Sequence, residues 1–169
     1  MELLELVEKT KKIFNVERVD DLGDALMRAT VEKDVAKMDA FVAITGLETD
    51  SLQRIYQYYC ADRKEKKQDF TPDSLAELLS MLIDDEVIVD MCAGTGSLTI
   101  KKWTEKPKQK FALAEIDESV VPYLLFNLVV RNIDSEVVVG DVLADHVVKI
   151  YRISPGVKYG DVSNLEPAF

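Results

Sequence analysis

The chain of 169 residues predicts an α/β protein, a parallel sheet preceded by an N-terminal helical region. Three observations carry that expectation. Short apolar runs alternate with helix-period segments after residue 70, a glycine turn joins the first run to its helix, and the first 67 residues carry helical stripes without strand-like runs. The length suits one domain with its own core, or one domain with a helical extension. A hydrophobic fraction of 47% with 31% charged residues describes a globular protein rather than a disordered one.

Composition also excludes function classes. No apolar stretch reaches a membrane span of roughly 18 residues, and no signal peptide precedes the charged "MELLELVEKTKK", so a cytoplasmic location without membrane association is expected. Cys60 and Cys92 are too few for a disulfide framework. His146 is the only histidine, which removes histidine-rich metal sites and most Ser-His or Cys-His nucleophile systems, and no metal is expected. The net charge of −10 suits a nucleic acid poorly unless another chain supplies the grip. That charge is uneven: residues 1–50 hold 7 basic and 12 acidic residues, residues 51–67 hold 5 and 2. "RKEKK" (63–67) and the lysines of "KKWTEKPKQK" (101–110) read first as solvated faces and second as phosphate contacts.

Taken in order, Leu3, Leu6 or Val7, and Phe14 mark a first helical stripe, continued by Leu22 and Leu26. Leu52, Ile55, Tyr56 and Tyr59 fall at i, i+3, i+4, i+7 behind Asp50, a natural N-cap. Charged "ADRKEKKQ" then marks a boundary between a helical region, 1–67, and a second region, 68–169. "DFTPDSLAELLSML" predicts a helix, with Thr71 as cap, Pro72 at its first position, and Leu75, Leu78, Leu79 and Leu82 as its apolar stripe. "EVIVD", "FALAEID" and "SEVVVGD" read as strands, separated by the helices "SLTIKKW" and "ESVVPYLLFNLVVRN". A fourth strand is placed at "VVKIYRI".

The turn between the first strand and its helix holds Asp90, Gly94 and Gly96. It is not a P-loop, because no Lys-Ser or Lys-Thr follows the second glycine, nor the full dinucleotide fingerprint, since Thr99 stands at the third glycine. Glu115 ends the second strand, where an acid accepts hydrogen bonds from a vicinal ribose diol, in NAD and S-adenosylmethionine alike. Asp90 favours a cationic, amino-bearing ligand, because a carboxylate beside a pyrophosphate is repulsive. A sulfonium with an α-amino group fits best.

"DFTP", "DMCAGTGSLTI", "AEID" and "GD", in that order and spacing, resemble the cofactor-binding motifs of adenine-specific DNA methyltransferases, in particular the modification subunits of type I restriction systems. The resemblance covers about residues 68–145 and implies a Rossmann-like methyltransferase sheet binding S-adenosylmethionine. It implies that Phe70, Thr71 and Pro72 cover the methionine end, and that Asp90, Cys92, Ala93, Gly94, Thr95 and Gly96 cradle the amino acid part. It further implies that Glu115 holds the ribose, that Ile116 packs on the adenine, and that Asp141 and Val142 read its amino edge. The first 67 residues loosely resemble the helical N-terminal region of such subunits. Each position has a plainer reading: a helix start at Thr71 and Pro72, a tight turn at the glycines, a strand-end acid at Glu115, a capping or turn residue at Asp141, packing at Cys92, Trp103 and Tyr56, Tyr58 and Tyr59.

One departure matters. The resembled enzymes carry Asn or Asp, two prolines and an aromatic after their fourth strand, to bind the target amino group and stack on the flipped base. The five prolines here (72, 107, 122, 155, 167) are never adjacent, and "ISPG" (153–156) lacks both amide and aromatic. No catalytic residue is therefore assigned, and the sheet is expected to be incomplete, stopping before the catalytic motif. Three functions follow. The first is a cofactor-binding domain taking part in DNA methylation with a partner subunit that supplies catalytic or target-recognition elements, meeting DNA only within the complex. The second is a non-catalytic cofactor-binding, regulatory or remnant protein of a restriction-modification system. The third is another nucleotide-binding α/β domain. Two further features, an apolar first strand at an open edge and a helix 120–130 apolar on both sides, predict cover by the C-terminal segment or by a second copy in a homodimer.

Overall fold

The computed structural model describes residues 1–62, 65 and 71–165. Four helices come first: α1 (Leu3–Phe14), α2 (Leu22–Val31) behind a 3-10 turn at Val19–Asp21, α3 (Val35–Thr45) and α4 (Ser51–Tyr59). Then follow α5 (Asp73–Leu82), β1 (Val87–Asp90), α6 (Ser97–Glu105), β2 (Lys110–Glu115), α7 (Val121–Val130), β3 (Ser135–Asp141), β4 (His146–Ser154) and β5 (Asp161–Leu165). The expected boundary at 67/68 lies outside the described residues, as do Phe70 and all of "RKEKK" except Glu65.

The sheet runs β1-β2-β3-β4-β5. Its first three strands are parallel, joined by crossover helices as expected. The fourth strand exists where it was placed, but it returns antiparallel to β3 and pairs with β5 in the same sense. A four-residue turn, 142–145, could not reach a parallel register, which needs a crossover of a dozen residues or more. The molecule is thus a Rossmann-like α/β fold of mixed sheet with an N-terminal helical region.

The helix α7 decides how the layers stack. Val121, Leu124, Leu125, Leu128 and Val129 are buried, and so are Tyr123, Phe126 and Val130 on its other side. One side meets the sheet; the other meets the N-terminal helices, above all α2. The Phe126 ring stands edge-on to Phe14 of α1 and Phe41 of α3, at 5.3 Å from each. Cover for the second side therefore comes from within the chain, which removes that argument for a second copy. The C-terminal segment does not cover β1 either: β4 and β5 extend the far side of the sheet, and β1 has no strand partner on its outer edge among the described residues.

Two smaller expectations shift. Pro72, not Thr71, is the N-cap of α5, accepting the Leu75 and Ala76 amides at its carbonyl. The stripe expected on α5 is largely exposed at Leu75, Leu78 and Leu82, and the helix instead turns Ala76 and Ser80 inward.

Leu6, Phe14, Leu26, Phe41, Leu52 and Ile55 share one continuous core with Leu113, Val137 and Ile153 of the sheet. Phe126→Ala should accordingly cost about 3–5 kcal/mol. Denaturant unfolding followed by far-UV circular dichroism, dominated by the helices, and by fluorescence of the single tryptophan, Trp103 on α6, should give coincident transitions. Two separated transitions would show that the halves fold independently.

Candidate functional site

Asp90, Glu115 and Asp141 are the last residues of three adjacent parallel strands. The carboxyl ends of such strands are where open α/β sheets bind ligands. Between the first two lies the glycine turn. Gly94 and Gly96 adopt φ +55° and +92°, conformations that favour glycine. The turn is tied down by its own backbone: the Ala93 amide donates to the Ala114 carbonyl at 3.0 Å, and Gly96 N–H to Ala93 O at 2.8 Å.

Glu115 is buried, and its two carboxylate oxygens accept the Gly94 amide and the Asp117 amide, both at 2.8 Å. It holds the turn before it holds any ligand. A carboxylate has about four acceptor positions, so capacity for a diol remains. Asp90 differs. Its Oδ1 accepts the Cys92 amide at 3.0 Å, while Oδ2 is buried without a hydrogen-bond partner. Burial pushes its acid dissociation above the ordinary carboxylate range, against the lowering by the Cys92 amide.

Asp90 lines a cavity of about 150 Å³ between α5, β1 and α6, together with Ala76 from the first turn of α5, Leu98, Thr99 and Lys102. Thr99 Oγ1 is also buried and unpartnered. Lys102 is buried and donates to the Ser80 carbonyl at 2.8 Å. Lys101 faces Glu77 at 3.8 Å and Lys106 faces Asp84 at 2.8 Å. These lysines clamp α6 to α5 and its following turn, so the reading of them as phosphate contacts gives way to a structural one.

The other expected residues sit around this centre. Ala93 is buried; Cys92 is a free, exposed thiol; Ile116 is 64% exposed at the end of β2, open to a flat apolar ligand. Asp141 accepts the Leu143 and Ala144 amides, at 2.9 and 3.1 Å, which makes it a turn residue, with Val142 exposed beside it. His146, exposed, stands opposite Asp141 in the β3–β4 register. Tyr56 is packing: its ring meets Tyr123 at 5.0 Å and its hydroxyl bonds Ser119. "ISPG" lies elsewhere. Ile153 pairs with Ser135 at the start of β3, and Asn132 clamps Gly156 through both its backbone groups. That places Pro155 at the end of the sheet opposite the glycine turn.

A group of residues that the sequence reading did not assign to the site lies behind the turn. Asp50, Asn127 and Arg131 are buried. Asp50 Oδ2 accepts Thr95 Oγ1 at 2.6 Å and Ser97 Oγ at 2.8 Å. Its Oδ1 accepts Asn127 Nδ2 and the Gln53 amide, each at 2.9 Å. Asn127 also donates to the Thr95 carbonyl at 2.9 Å. Arg131 donates to Asn127 Oδ1 and to the carbonyls of Leu47 and Thr49, and burial lowers it to about 10 despite nearby Asp50. The available signal was an amide and a guanidinium at i, i+4, within and just at the end of the strongly apolar helix α7.

Two outcomes follow for stability. An alanine Cβ at Gly96 would meet Leu124 Cδ1 at 2.9 Å at a left-handed φ, whereas at Gly94 it meets nothing within 4 Å. Gly96→Ala should therefore cost more than Gly94→Ala, with about 1–2 kcal/mol expected for the latter from conformation alone; equal losses in denaturant melts would contradict the packing. For Asp90 the folded form holds its proton more tightly than the unfolded form, so its contribution is favourable at acid pH and is lost as pH rises through the raised folded value. Asp90→Asn should melt higher than the parent at pH 7, with the gap closing below about pH 4. A lower melting temperature at pH 7 would contradict the burial argument.

Comparison with known proteins bears on these motifs. The model of the N-6 DNA methylase family matches residues 47–153, which takes in α4, Asp50 and every described element through β4. No curated protein matches the chain. Among solved structures, the methyltransferase subunit of a type I restriction-modification system from Streptococcus thermophilus is similar at 16% identity and a TM-score of 0.46. That match covers 83% of this chain but 39% of the other, so the chain spans well under half of that subunit's length. With the family model covering more than half of its residues, the chain belongs to the N-6 DNA methylase family and carries a methyltransferase-type α/β domain.

Proposed function

We propose that the chain binds S-adenosylmethionine at the carboxyl ends of β1–β3 and takes part in DNA methylation together with another polypeptide. The observation that carries this reading is Asp90 Oδ2, buried and unpartnered beside the glycine turn. A desolvated carboxylate oxygen calls for a cation or an N–H donor. Residues 90–97 contain no lysine or arginine, so a pyrophosphate would meet an acid and no counter-charge there. A ligand with an α-ammonium and a sulfonium satisfies the same place. In this reading Asp90 and the turn from Cys92 to Gly96 hold the amino acid end, with Thr71 and Pro72 near it, and Glu115 adds ribose bonds to those it already makes. Ile116 covers the adenine, with Asp141 and Val142 at its rim. Residues 1–67 act as a helical support for the partial cofactor-binding domain, 68–169.

This chain's own residues bind and orient; the cofactor supplies the electrophilic methyl group. A target base needs an acceptor for its amino protons and a stacking partner, and "ISPG" stands at the wrong end of the sheet to offer them. We assign those elements, and target recognition, to the partner polypeptide, with DNA bound only in the complex. The open edge of β1 is where an added strand would extend the parallel part of the sheet. The second reading, a cofactor-binding subunit without transfer activity, rests on the same placement of "ISPG".

Isothermal titration with S-adenosylmethionine should show saturable binding, and Glu115→Ala should weaken it about tenfold or more, since charge-assisted hydrogen bonds of roughly 1.5–3 kcal/mol are lost. Absence of binding by the folded parent would remove the reading. Methyl transfer to DNA should be absent for the chain alone and appear with products of neighbouring genes; continued absence would leave the non-catalytic reading.

A further inference from the structure

The four-bond carboxylate of Asp50 lies at the N-cap of a helix outside the glycine turn, yet two of its bonds come from the side chains of that turn, Thr95 and Ser97. A third comes from Asn127, which also holds the Thr95 carbonyl. The backbone of the turn is thus fixed from two directions, by Glu115 on the sheet side and by Asp50 on the helical side. Since Gly94 and Gly96 both adopt left-handed conformations, the turn has an intrinsically broad choice of shapes, and the polar clamp selects one. Arg131 closes the network by tying Asn127 to the carbonyls of Leu47 and Thr49, the approach to α4.

We propose that Asp50 is a positioning residue for the ligand-binding turn, so that the N-terminal helices set the affinity of the site by holding its rear wall rather than by touching the ligand. This inference rests on the reading that the turn binds S-adenosylmethionine. It requires that Asp50 act through Thr95 and Ser97 rather than through stability alone, and the fold supplies a matched control. Asp34 caps α3 in the same way, accepting the Lys37 amide at 3.1 Å, without a bond to the turn.

The test is titration of S-adenosylmethionine into folded full-length variants, with melting temperatures measured in parallel. Asp50→Ala should weaken binding about tenfold or more, while Asp34→Ala should stay within about twofold of the parent. Asp50→Asn should return affinity to within about threefold, because its oxygen still accepts from Gln53 and Asn127 and its amide can donate to the two hydroxyls. Should Asp50→Ala fail to fold, the double variant Thr95→Val with Ser97→Ala removes the clamp from the turn side, leaves the α4 cap intact, and should show the same loss. Parent-like affinity in either folded clamp variant overturns the inference, as does an equal loss in Asp34→Ala. A parent that does not bind S-adenosylmethionine removes the ligand reading as well, which separates the two failures.

Discussion

The carboxylate of Asp50 is the constraint on which the arrangement around the site depends. It is buried, charged and fully used, with four hydrogen bonds from three different segments of the chain. A buried charge is tolerated only when its bonds are complete, because each missing one leaves a desolvated acceptor at a cost of about 1–3 kcal/mol or more. The α4 cap, the glycine turn and α7 must therefore reach their final positions together. What looks in sequence like one helix cap among several is the joint between the helical region and the sheet.

The fold was legible where period and punctuation agreed. Three apolar runs gave three parallel strands, and Asp50 and the glycine turn marked element starts correctly. The sense of β4 was not legible, because its pattern is the same in either direction and only the short turn at 142–145 decides. On α5 the leucines misled: Leu75, Leu78 and Leu82 form an apolar stripe by spacing, but the helix packs on α6 and buries its small residues, Ala76 and Ser80. The frame of the candidate site was legible at its strand ends and glycines, because Gly94 and Gly96 do adopt the left-handed conformations a strand-to-helix turn needs. Its rear wall was not. Asn127 and Arg131 stand about eighty residues from Asp50, and nothing local in a sequence pairs a helix cap with a distant amide.

Asp90 and Glu115 make opposite use of the same chemical group. Glu115 saturates one lone pair on each oxygen with backbone amides and gives the turn its shape. Asp90 keeps an oxygen out of water and unbonded, and that burial disfavours its ionised form. One carboxylate is engaged in the architecture of the turn; the other keeps one oxygen unbonded.

The ring trio of Phe14, Phe41 and Phe126 carries a consequence in time. The first two rings leave the ribosome long before the third. At a synthesis rate of roughly 5–20 residues per second, the stretch between Phe41 and Phe126 takes on the order of 5–20 s to appear. During that interval α1, α2 and α3 have no α7 to close over them, and their apolar faces wait in water or on a chaperone. The same helix that welds the finished molecule into one core thus makes its opening segment the slowest to find shelter while the chain is being made.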